Sequence, residues 1–148
     1  LAGIAVVVGS ILFFAEPAAA QFCRVEVTGD VGFGDYDPLE SGDLDASGQI
    51  RYRCPAAVLI ARVKITSGSS GSFSPRTMTQ GGEQLGYNLY LDASRSVVWG
   101  DGTGGTSFLT LAPPSPLFQS QPVYARTSLG QDVSAGAYGD SVVVVLEW

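Results

Sequence analysis

The chain has 148 residues, 45% hydrophobic and 15% charged, with 19 Gly, 8 Pro and a formal net charge of −6. Eight basic residues against fourteen acidic ones leave no basic patch of the density that nucleic-acid binding requires. Histidine is absent, which removes the commonest general base and the commonest metal ligand, and the apolar fraction fits one compact domain with many tight turns.

Residues 1–15, LAGIAVVVGSILFFA, form an uncharged run that is short for a membrane span. EPAAAQ follows, with Ala18 and Ala20 at the small-residue positions of an A-x-A cleavage site. Residues 1–20 therefore read as a secretory signal peptide, cut after Ala20, rather than as a short membrane anchor. No initiator Met or basic n-region precedes it, so the leader reads as incomplete at its start. The mature domain is expected to be 21–148, without a membrane span. In the oxidising compartment that export implies, the two cysteines, Cys23 and Cys54, read as one structural disulfide.

Period-two alternation marks the first strands. FCRVEVTG sets Cys23, Val25 and Val27 opposite Phe22, Arg24 and Glu26. QIRYRC turns Ile50, Tyr52 and Cys54 inward and Arg51 and Arg53 outward, and ARVKI places Ala61, Val63 and Ile65 opposite Arg62 and Lys64. A Gly/Ser-rich connection runs over 66–75. LGYNLYLD is a further strand, SVVWGDGTGG runs into a glycine turn, and TSFLTL is a short strand before a proline-rich loop. QPVYARTS is a strand with Pro122 near its start, where a missing N–H is tolerated. No stretch of the mature chain has helical spacing. Short strands punctuated by Gly and Pro argue for a β-sandwich or barrel.

The last segment, GDSVVVVLEW, is apolar on both faces. Val142, Val144, Leu146 and Trp148 form one, and Val143 and Val145 the other. Such a strand belongs inside a covered sheet, and at an open edge it is a template for pairing with another chain. No later segment follows it in this sequence. Its second neighbour is therefore either an earlier strand or a strand from another polypeptide.

Other candidate sites carry weaker signals. Asp35, Asp37, Asp43 and Asp45 are expected in solvated loops, because no calcium-loop spacing is present and Asp caps turns. WGDGTGG lacks the Lys of a phosphate loop. Trp99, Tyr87 and Tyr90 could stack on a sugar, but core packing is the commoner fate of strand aromatics. Serines are plentiful, yet no base is present to activate one, and Lys64 is the only lysine. An enzyme is not expected, and no cofactor or metal is implied.

Several motifs, taken in order, resemble the spore coat protein U (SCPU) domain family, the subunits of archaic chaperone–usher pili and related coat proteins. They are FGDYDP at 33–38, IRYRC at 50–54, SPRTM at 74–78, LGYNLYLD leading to VVWGDG at 97–102, and VYARTSLGQDVSAGAYGDSVVVVLEW from Val123 onward. The resemblance implies an incomplete immunoglobulin-like sandwich lacking its last strand. It implies transit through the periplasm to a surface fibre or coat. It implies as partners a periplasmic chaperone, an outer-membrane usher and neighbouring pilus or coat subunits. The pairing residues would be Val142, Val143, Val144, Val145, Leu146 and Trp148, completed by a donated strand. Only Gln21 and Phe22 would lie between the expected cut and Cys23, too few for a donor strand, so a tip-proximal or capping subunit is expected. The alternative is an adhesin or carbohydrate-binding β-sandwich module.

Overall fold

A computed structural model describes residues 22–39 and 42–148; the expected leader 1–20 lies outside the described residues. The described chain is all-β. Its strands are β1 (Arg24–Gly29), β2 (Leu44–Arg53), β3 (Ala61–Ile65), β4 (Arg76–Gln80), β5 (Glu83–Tyr90), β6 (Leu109–Leu111), β7 (Gln119–Thr127) and β8 (Val144–Glu147). A single 3-10 turn, Gly68–Ser70, interrupts the Gly/Ser-rich connection.

Two antiparallel sheets face each other. The larger has the order β1-β2-β7-β5-β4, the smaller β6-β3-β8. The alternating side chains of the sequence supply both inner faces: Ile50, Tyr52, Leu89, Val123 and Ala125 from the larger sheet, Val63 and Ile65 from the smaller. Trp99 is completely buried between them, and its indole N–H donates to the Val63 carbonyl at 2.9 Å. Cys23 and Cys54 form the expected disulfide, tying the chain just ahead of β1 to the residue that follows β2.

Three sequence expectations need correction. β2 begins at Leu44, so Asp45 lies on a strand rather than in a loop. Ser47 and Gly48 hide the alternation there, and nine-position pairing with β7 supplies the order that side chains do not. Gly48 is needed because β1 bulges over it: a Cβ would lie 2.6 Å from the Gly29 carbonyl oxygen. β4 was not expected as a strand at all; Thr-rich and short, it is held by five-position pairing with β5. The terminal strand is shorter than the sequence suggests. Only Val144–Glu147 is regular, because the chain from Gly139 to Val143 is used to cross between the sheets.

Candidate functional site: an open sheet edge beside an apolar groove

The crossing segment is pinned at four points. Gly139 exchanges two main-chain hydrogen bonds with Thr79 on β4 (2.9 and 3.2 Å). One residue on, Asp140 accepts hydrogen bonds from Tyr87 O–H (2.7 Å), Ser69 N–H (2.9 Å), Ser69 O–H (2.7 Å) and Ser141 N–H (2.8 Å). Burial pushes the Asp140 carboxyl up, but those donors outweigh it and hold it below its ordinary value, while burial pushes the Tyr87 phenol well up. Gly68 is required here, because a Cβ would overlap the Asp140 carboxylate. Finally Thr66 grips Val143 from both sides: its N–H donates to the Val143 carbonyl (3.0 Å) and its hydroxyl accepts from Val143 N–H (2.9 Å).

This grip fixes which way the β8 backbone points. Thr66 and Val143 form a hydrogen-bonded pair, and the register continues as Ile65↔Val144, Lys64↔Val145, Val63↔Leu146 and Arg62↔Glu147. In an antiparallel ladder, hydrogen-bonded and non-hydrogen-bonded pairs alternate. Val143, Val145 and Glu147 therefore turn their N–H and C=O groups toward β3. Val144 and Leu146 turn theirs the other way, and among the described residues no strand pairs on that side. β8 is an apolar edge strand with a row of free donors and acceptors, the arrangement that adds a further strand most readily.

The five-to-three imbalance of the sheets leaves a groove next to that edge. It lies between β1 and β8 and is floored by the larger sheet. Its lining includes Val27 and Val31 on one side, Val142 and Val144 on the other, and Ile50, Leu89 and Val123 beneath, around a volume of about 450 Å³. A second hollow of about 840 Å³ continues it between 31–38 and 133–138, sharing Val31, Phe33, Met78 and Tyr138 with the first. Val27, an inward-facing residue of β1, is 58% exposed: its neighbour across the sandwich is absent. At the other end the two edges meet where Phe22 packs edge-on against Trp148, ring centroids 6.5 Å apart.

The six apolar residues of the terminal segment thus divide. Val142, Val144 and Leu146 pack against the core, Val145 is half-buried on the outer face, and Val143 is exposed. Trp148 shares the parity of the inner set but is 57% exposed, a correction to the expected continuous apolar face; β8 ends at Glu147 and Trp148 turns to Phe22. Trp99 and Tyr87, weighed above for sugar stacking, are core residues, Tyr90 is half-buried, and Lys64 is held by Glu147 at 2.7 Å. Sequence reading missed Thr66 and Asp140, whose partners are 77 and 71 residues away at the furthest. The Asp-Ser pair just ahead of the valine run was the only hint.

Comparison with known proteins agrees with this geometry. The profile of the Spore Coat Protein U domain family matches residues 10–145. The chain belongs to that family. Protein U of Myxococcus xanthus is 31% identical to this SCPU chain over 134 residues, covering 80% of it and 71% of Protein U. Among solved structures, one similar chain comes from the CsuC–CsuE chaperone–tip adhesion subunit pre-assembly complex of the archaic chaperone–usher Csu pili of Acinetobacter baumannii. The likeness has a TM-score of 0.55 and 26% identity and covers 86% of the SCPU chain but 39% of the other. Another comes from a chaperone–tip adhesin complex of CFA/I fimbriae biogenesis, with a TM-score of 0.60, 11% identity and coverage of 86% and 41%, a likeness of fold alone. No helix among the described residues is long and apolar enough to cross a membrane.

Proposed function

We propose that this SCPU chain is a structural subunit of a secreted surface fibre or coat, assembled through a chaperone–usher pathway by receiving a strand from another polypeptide. The observation that carries this reading is the free edge of β8 beside an apolar groove, with Val144 and Leu146 offering unpaired backbone groups. A donated strand would pair there and lower its alternate side chains into the groove. Four or five apolar side chains at about 2 kcal/mol each contribute roughly 8–10 kcal/mol before ordering costs, comparable to the stability of a whole domain. In the periplasm the donor would be a chaperone, as the solved chaperone–subunit complexes suggest; at the surface it would be a neighbouring subunit delivered by an outer-membrane usher.

The place in the fibre depends on where the mature chain starts. Cleavage after Ala20 leaves Gln21 and Phe22 ahead of Cys23, which makes a subunit that receives a strand without giving one, as at a tip or a cap. The mass of the mature N-terminus in the native secreted protein decides this: a start well ahead of residue 18 would overturn the capping role while leaving the receiving role intact.

Two proline substitutions test strand receipt. Val144→Pro removes an N–H from the free edge and should abolish capture by the cognate chaperone with the fold retained. Val145→Pro removes an N–H that faces β3 and should weaken the fold itself. Undiminished chaperone capture by a folded Val144→Pro protein would overturn the reading.

A further inference from the structure

The charges of this molecule are sorted along its long axis, and nothing in the strand-receiving site requires that. β2 runs for ten residues, about 30 Å, between two poles. At its C-terminal end stand Arg51 and Arg53, with Arg24 across the β1 pairing and Arg62 at the start of β3, all four exposed. Glu26 pairs with both Arg51 (2.6 Å) and Arg24 (3.9 Å), and Glu147, opposite Arg62 in the β3–β8 register, is held by Lys64, so Arg53 and Arg62 belong to no ion pair among the described residues. Phe118 stiffens the pair: the Arg51 and Arg53 guanidinium groups lie 4.3 and 4.9 Å from its ring centre, which holds their charges in place. Leu59 and Leu117, 75% and 73% exposed, are carried on the loops of the same pole.

The opposite pole is anionic. Asp35, Asp37 and Asp132 are exposed there and belong to no ion pair among the described residues, while the two cations of that pole, Arg95 and Arg126, are taken by Asp43 and Asp45. An acidic protein thus carries half of its bases at one end, with Glu26 shared between two of them, and three carboxylates without ion pairs at the other.

We infer that the cationic pole docks on the anionic pole of a second copy. The complementary surface is the one this chain itself carries. Because the two poles are different patches at opposite ends, the contact is head-to-tail and does not close on two copies; it propagates. The inference builds on the reading of the chain as an assembly subunit, but it uses no strand exchange. It gives copies that only receive a strand a way to associate.

Sedimentation velocity of the secreted chain, purified in whatever strand-bound form it leaves the cell, tests this at 20 mM and 500 mM NaCl. The chain should self-associate at low salt and weaken by about tenfold or more at high salt, as exposed charges are screened. R51E/R53E and D35K/D37K should each be monomeric at low salt, and mixing the two should restore association, because each then offers the pole the other needs. An excess of a donor-strand peptide should leave the association of the parent unchanged. A monomeric parent at low salt, salt-insensitive association, or variants that associate alone as the parent does would overturn the inference. So would a mixture that stays monomeric, or one in which an acidic polysaccharide but not the second variant is bound. Loss of association on adding that peptide, with the charge variants associating as the parent does, would place the contact in the groove and uphold strand receipt while removing the pole contact.

Discussion

Arg76 is fully buried and has no carboxylate partner among the described residues. Its Nε donates to the Thr66 carbonyl (3.0 Å), Nη1 to Asn88 Oδ1 (2.7 Å), and Nη2 to the carbonyls of Thr66 (2.9 Å) and Trp99 (2.7 Å). Burial pulls its pKa down, and the nearby Tyr87, Asp140 and Asp101 oppose that. The guanidinium ties β4 of the larger sheet to the end of β3, at the residue that grips Val143. Arg76→Met leaves the buried acceptors of Thr66, Asn88 and Trp99 without their donor, at about 1–3 kcal/mol each, which should read as a lower urea midpoint, and it should loosen β8 first. Asp140 provides a second test. Its carboxyl lies below the ordinary value, so its contribution to stability is complete above about pH 4 and is lost as pH falls through the folded-state value. Between pH 5 and pH 3 the parent should lose stability faster than Asp140→Asn, compared by urea unfolding. Neither role was legible in the sequence. Arg76 sits in SPRTM, where nothing in the spacing marks a strand, and a lone Arg reads as surface.

At the scale of the element, β8 shows how far alternation carries. The valine run gave the strand and its inner face as far as Leu146, because Val142, Val144 and Leu146 do pack on the core while Trp148 does not. It could not show where the strand begins. The start is set by Thr66 and Asp140 contacts from distant parts of the chain, and β-propensity is blind to these. The direction in which each β8 amide points was also out of reach, since it depends on the register with β3 rather than on side chains. That direction separates the two proline variants. Val145→Pro should lower the unfolding midpoint markedly by removing a β3–β8 hydrogen bond, whereas Val144→Pro should change it far less. Equal destabilisation by both would mean that both faces of the β8 backbone are already paired.

At the scale of the whole molecule, the described residues form a sandwich with five strands on one side and three on the other, closed at one end by a disulfide. Cys23 and Cys54 are 31 residues apart, which corresponds to about 3–4 kcal/mol in the chain-entropy model. That is a large share of the stability of a domain whose core is open on one side. Reduction, or Cys23→Ser with Cys54→Ser, should lower the urea midpoint by the equivalent of that amount. The all-β class, the disulfide and most strands were legible because export, cysteine pairing and period-two alternation are local signals. The imbalance of the sheets was not, because strand order is a property of long-range pairing.

The central claim, that β8 waits for a strand from another chain, is tested most directly by amide hydrogen exchange resolved along 143–147. In the isolated chain the amides of Val145 and Glu147 should be protected by β3, while those of Val144 and Leu146 exchange freely. Binding of the chaperone or of a donor peptide should then protect Val144 and Leu146. Protection of those two amides already in the isolated, monomeric chain would contradict the account.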